Sequence, residues 1–135
     1  MGRRLILDTN VLIAYERGTI DLSQLDDDDL AIAALTVAEY RVGIELSDTA
    51  ERAADRSRAL AVISENVEVL TYTEATAAAH AQLLAHIRRS GRPRSAHDLI
   101  IAAHALQTGR AIVTRDSAAR FGGLPGVVTI EAAPA

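Results

Sequence analysis

The stretch "HDLIIAAHALQTGRAIVTRD", His97–Asp116, decides how this chain folds. Leu99–Leu106 is apolar around most of a helical circumference, which predicts a deeply buried helix over Ala96–Gln107. Gly109 stands where a left-handed residue would close that helix. Ala111–Thr114 then reads as a short apolar strand that runs into Asp116. A helix joined by a tight turn to an apolar strand is the repeating unit of an α/β domain. The helix runs antiparallel to the strand it feeds. Asp98, at the helix start, and Asp116, past the strand's end, therefore fall at one edge of the sheet.

The same grammar recurs on the amino-terminal side. "RLILDTNVLIAY" carries the strand Leu5–Asp8 into a helix over Val11–Arg17. Further strands are expected at Leu30–Leu35, Val67–Leu70 and Val127–Ile130, and further helices at Val37–Leu46, Ala50–Glu65 and Glu74–Arg89. Gly18 and Gly91 mark further helix ends. The expected fold is a single domain over residues 1–135, with a twisted, mainly parallel five-stranded sheet flanked by helices on both faces. At this length a core forms without staples. The chain contains no cysteine, so neither disulfides nor thiolate zinc sites enter. No apolar run approaches the ~20 residues of a membrane helix, and a cytoplasmic setting is expected.

Charge narrows the function. The net charge of −4 argues against a general nucleic-acid coat protein, but does not exclude an enzyme that meets phosphodiesters through metal ions. Only three tyrosines and one phenylalanine are present, too few for recognition by base stacking. All 14 basic side chains are arginine; the absence of lysine excludes P-loop nucleotide hydrolases and Schiff-base enzymes.

Four acids carry the candidate chemistry. Asp8 and Asp116 close apolar strands, where open parallel sheets place their ligand crevice. Glu39 and Asp98 read as third residues of helices capped by Thr36 and Ser95. Each acid alone has a structural explanation: a capping box for Glu39 or Asp98, a turn for Asp116. Together at one edge they present an electrostatic problem. Two carboxylates about 5 Å apart repel by about 3 kcal/mol at an effective dielectric of 20, so four require proton uptake or a cation. Oxygen ligands favour a hard divalent ion such as Mg²⁺.

These segments, with "TVAEYRVGI" (36–44) and "LPGVVTIE" (124–131), resemble the PIN-domain family, specifically its VapC-type toxins. The resemblance covers essentially the whole chain. It implies an Mg²⁺- or Mn²⁺-dependent endoribonuclease, a homodimer, and a VapB-type antitoxin whose tail fills the active-site groove. It places the family's acidic quartet on Asp8, Glu39, Asp98 and Asp116, with Thr9, Asn10 and Thr114 supporting them. Family members often carry a further acid two residues after the last of the four, closely followed by phenylalanine. Here that place is Ala118, and Phe121 comes later.

Candidate RNA contacts are Arg92, Arg94, His97 and Arg115. The arginines of "RRSGRPR" (88–94) suit a phosphate clamp and equally a helix end followed by a solvated loop. The histidines form no metal site: His97 and His104 are two turns apart, about 10 Å. Asp26–Asp29 reads as a solvated loop or helix end rather than a second metal site, and Arg52, Arg56 and Arg58 as exterior decoration of their helix. Competing readings are a catalytically silent PIN relative and a receiver-like Mg²⁺-binding signalling module. A dehalogenase-like phosphatase is a third. The receiver and the phosphatase both need the missing lysine, and the phosphatase also needs an acid where Asn10 stands.

Overall fold

A computed structural model describes residues 2–135. Five strands, β1 (Arg4–Leu7), β2 (Asp29–Ala33), β3 (Glu68–Leu70), β4 (Ala111–Thr114) and β5 (Thr129–Glu131), form one sheet in the order β3-β2-β1-β4-β5. Every pairing is parallel, so the expected mainly parallel sheet is wholly so. Six α-helices are present among the described residues: α1 (Thr9–Glu16), α2 (Ala34–Glu45), α3 (Ala50–Asn66), α4 (Glu74–Ser90), α5 (Ala96–Thr108) and α6 (Ser117–Phe121).

The chain order explains why helices cover both faces. From β1 the chain steps outward to β2 and β3, then returns past β1 to β4 and β5. Parallel crossovers keep one hand, so reversing direction moves the connecting helices to the other face. The core divides accordingly. Leu5, Leu7, Ile32 and Val113 pack with Val11 and Leu12 of α1, Tyr40 of α2, and Leu60 and Ile63 of α3. Ile6, Ala31, Ala33 and Ile112 pack with Leu83 of α4, Leu99 and Ile101 of α5, and Phe121 of α6. Alternate residues of one strand thus belong to opposite cores, as the two-residue strand period requires. Because Leu5–Leu7 of β1 and Ile112–Val113 of β4 are buried on both faces, these stretches read as unbroken apolar runs.

Gly91 and Gly109 close α4 and α5 with φ of 69° and 66°, the left-handed region that glycine enters without a Cβ clash. Three expectations at element ends are corrected. α1 begins at Thr9 rather than Val11, because the Asp8 carboxylate accepts from the Thr9 amide and caps the helix itself. α2 begins at Ala34; Ala33 is its cap, with no side-chain hydrogen bond, and Thr36 is a buried residue inside the first turn. Glu39 consequently lies in the second turn rather than third in the helix. Ser95 does cap α5, but by position only, for its side chain makes no capping hydrogen bond.

Two surface readings also change. Arg56 is not decoration: it donates to Glu16 Oε1 at 3.2 Å, Gly43 O at 2.8 Å and Ser47 Oγ at 2.9 Å, joining α3 to α1 and α2. The acidic run is tied down at its end, where Asp28 pairs with Arg3 at 2.9 Å and Asp29 begins β2.

Candidate active site at the carboxyl edge of the sheet

The central strands β1 and β4 end side by side, with Leu7 level with Val113. The strand order reverses between them, and such a switch point is where open parallel sheets bind ligands. Asp8 follows β1 there with no exposed surface. Its Oδ1 accepts from the Thr9 amide at 2.8 Å, and its Oδ2 from Thr114 Oγ1 at 3.0 Å. Burial raises the Asp8 carboxyl above the ordinary carboxylate range; Arg120 and the bonds from Thr114 and Thr9 oppose that shift.

Asp98, in the first turn of α5, reaches the same place and is buried. Between the two acids lies a side chain absent from the sequence-based site, Arg120. It donates from Nη1 to Asp8 Oδ2 at 2.8 Å, and to Asp98 Oδ1 from Nη2 at 2.6 Å and Nε at 3.1 Å. Burial opposes its charge. The Asp98 bond and the charges of Asp8, Asp98 and Glu39 outweigh that, and hold the guanidinium above its ordinary pKa. The cation required by clustered carboxylates is thus supplied within the chain. The short helix α6, which carries Arg120, follows Asp116 directly, where the family's further acid is replaced by Ala118. The only signal in the sequence is an arginine four residues beyond the last acid.

Glu39 joins through Thr9. Thr9 Oγ1 donates to Glu39 Oε1 at 2.9 Å and lies 3.4 Å from Thr36 Oγ1. The other carboxylate oxygen of Glu39 meets His97 Nδ1 at 2.9 Å. Asn10 donates to Thr114 Oγ1 at 3.4 Å and accepts the Arg115 amide at 3.4 Å. Asp116 sits at the end of β4 with its amide 3.3 Å from Thr114 Oγ1, but the residue is exposed and its side chain does not cap α6. Among the described residues, no three acids or histidines stand close enough together to hold one ion. The donor set still fits a hard divalent ion, because Asp8 and Asp98 offer anionic oxygens that already share a single cation.

Of the candidate RNA contacts, Arg92 is exposed and His97 half exposed, while Arg94 turns inward to the Gly122 carbonyl at the end of α6. Arg115 is exposed beside Asp116.

Comparison with known proteins completes the picture. The PIN domain family matches residues 5–121. The chain is 33% identical over 126 residues to ribonuclease VapC5 of Mycobacterium tuberculosis (strain ATCC 25618 / H37Rv), covering 93% of this chain and 91% of that protein. This chain belongs to the PIN-domain family, among its VapC-type ribonucleases. It is also 34% identical over 133 residues to the tRNA(fMet)-specific endonuclease VapC of Shigella flexneri, over 90% of this chain and 94% of that one. The crystal structure of VapBC-5, a toxin–antitoxin system member from Mycobacterium tuberculosis, superposes with a TM-score of 0.77 at 30% identity, covering 96% of this chain and 98% of that one. The PIN-domain match spans all four carboxylates, Asp8, Glu39, Asp98 and Asp116, and ends at Phe121, one residue past Arg120.

Proposed function

We propose that this PIN-domain protein is the toxin of a toxin–antitoxin pair: an Mg²⁺- or Mn²⁺-dependent endoribonuclease that cuts RNA phosphodiesters at Asp8, Glu39, Asp98 and Asp116. One observation carries the reading. Two buried carboxylates, Asp8 and Asp98, come from distant parts of the sequence and converge on a single cation at the switch point of the sheet. The names of the relatives, ribonuclease and endonuclease, support RNA as substrate, and the VapBC assemblies support a VapB-type antitoxin as partner. A homodimer acting in the cytoplasm belongs to the same reading, and no helix among the described residues is long and apolar enough to cross a membrane.

Asp8 and Asp98 would hold the ion, with Asp116 and Glu39 completing the acidic shell. The bound ion supplies Lewis-acid activation of water and neutralises charge developing on the phosphate. The chain's own part is positional. The Thr9 amide and Thr114 hydroxyl fix both oxygens of Asp8, so its carboxylate is preorganised rather than free to rotate. Thr9 and His97 fix Glu39 from its two oxygens, leaving it aimed across the same edge. Arg115, exposed one residue before Asp116, and Arg92, exposed in the segment before α5, would meet the polyanionic backbone.

Purified protein incubated with total cellular RNA and Mg²⁺ or Mn²⁺ should yield fragments with 5′-phosphate and 3′-hydroxyl ends, and chelation should stop cleavage. Undiminished cleavage in excess chelator, or no cleavage with either ion, would contradict the proposal.

A further inference from the structure

The Arg120 clamp has no role in the scheme above, yet it occupies the ground that scheme assigns to an ion. Asp8 Oδ2 accepts two hydrogen bonds, from Thr114 and Arg120, and Asp98 Oδ1 accepts two from Arg120 alone. A carboxylate oxygen has about two lone-pair directions, so these two inward oxygens are fully engaged. A divalent ion approaching them meets both a filled acceptor set and a positive charge.

We propose that Arg120 is an intramolecular competitor for the cation position, and that its side chain must leave Asp8 and Asp98 before a divalent ion binds there. The inference rests on the reading of this edge as a metal site. It makes Arg120 the residue that sets the site's affinity. The apparent dissociation constant is the intrinsic one divided by the fraction of molecules in which the clamp is open.

The geometry also shows what moves. Arg120 lies in the last turn of α6, a helix of five residues, and the next residue, Phe121, is only 2% exposed within the core. Phe121 anchors the backbone, so exchange falls to the arginine stem. That side chain is 27% exposed, against 0% for Asp8 and 8% for Asp98, which leaves the guanidinium an open route to solvent. Released there, its charge stands at the rim of the acidic edge. The clamp also compensates the cluster when no ion is bound, so the apo fold does not carry two unpaired buried carboxylates.

The test uses the full chain. In the ¹⁵N-labelled wild-type protein, the Arg120 Nε–Hε signal should be protected from exchange by Asp98. Mg²⁺ should shift it to the solvent-exposed arginine position and abolish protection, in step with metal binding measured by calorimetry. Arg120→Gln should bind Mn²⁺ about tenfold more tightly than wild type, read from the free-Mn²⁺ electron paramagnetic resonance signal, as expected for a clamp closed about nine-tenths of the time. If Mn²⁺ binds wild type in a manner lost in Asp8→Asn while the Arg120 signal stays protected, the competition is wrong and the metal site stands. If neither wild type nor Arg120→Gln binds Mn²⁺, the metal-site reading fails and this proposal falls with it.

Discussion

Asp8 is held by donors from three elements: the first amide of α1, the last hydroxyl of β4 and the guanidinium of α6. Outer partners of this kind tune an ion site by fixing its ligands. Thr114→Val keeps the shape of a buried β-branched residue but removes the hydroxyl, so Mn²⁺ affinity should fall by about 10-fold or more, measured by calorimetry, with the fold intact. A second residue-scale prediction concerns His104, buried in α5 away from the acids. Burial, followed by the nearby His80, pushes its imidazole below the ordinary histidine range. Tyr72 packs edge-on against the His104 ring and hydrogen-bonds His80 Nδ1 at 2.8 Å. The folded state therefore keeps His104 neutral while the unfolded chain protonates it near its ordinary pKa of about 6.5. Stability from this residue is complete above that value and is lost as pH falls toward the folded pKa. Urea unfolding of wild type from pH 7 to 5 should show this decline, and His104→Leu should flatten it.

At the scale of elements, the strands were legible in the sequence because both faces of β1 and β4 are buried, leaving apolar runs with nothing to alternate. The α5–β4 unit was read to within a residue, since Gly109 punctuates it sharply. The start of α2 was not, because it has no side-chain cap and Thr36, the residue that looks like one, is spent inside the site beside Thr9. The short α6 was missed: five residues carry too little periodicity to register. Arg110 is another device that pattern alone does not reveal. Its side chain is 1% exposed and its Nη1 donates to the carbonyls of Leu5 at 3.0 Å and Asp29 at 2.9 Å, tying β1 to β2 just before β4 begins. Arg110→Met should lower unfolding free energy by about 2 kcal/mol, because two carbonyls lose a charged donor; a urea titration measures it.

Over the whole molecule, one topological fact organises the rest. The chain runs out along one side of β1 and back along the other, which puts the sheet's switch point at the joint between β1 and β4. Acids from α2 and α5 then gather beside Asp8 without any local sequence signal linking them. That convergence was legible, since topology alone demands it. The way the chain balances the resulting charge was not, because Arg120 is one of 14 arginines and nothing local distinguishes it. The central claim is that the gathered carboxylates perform metal-dependent cleavage of RNA. Its most direct test compares Mg²⁺-dependent RNA cleavage by wild type and Asp8→Asn, an exchange that keeps side-chain size and removes one anion. The account predicts loss of cleavage in the variant with an unchanged circular dichroism spectrum; a folded Asp8→Asn protein that still cuts RNA at the wild-type rate would contradict it.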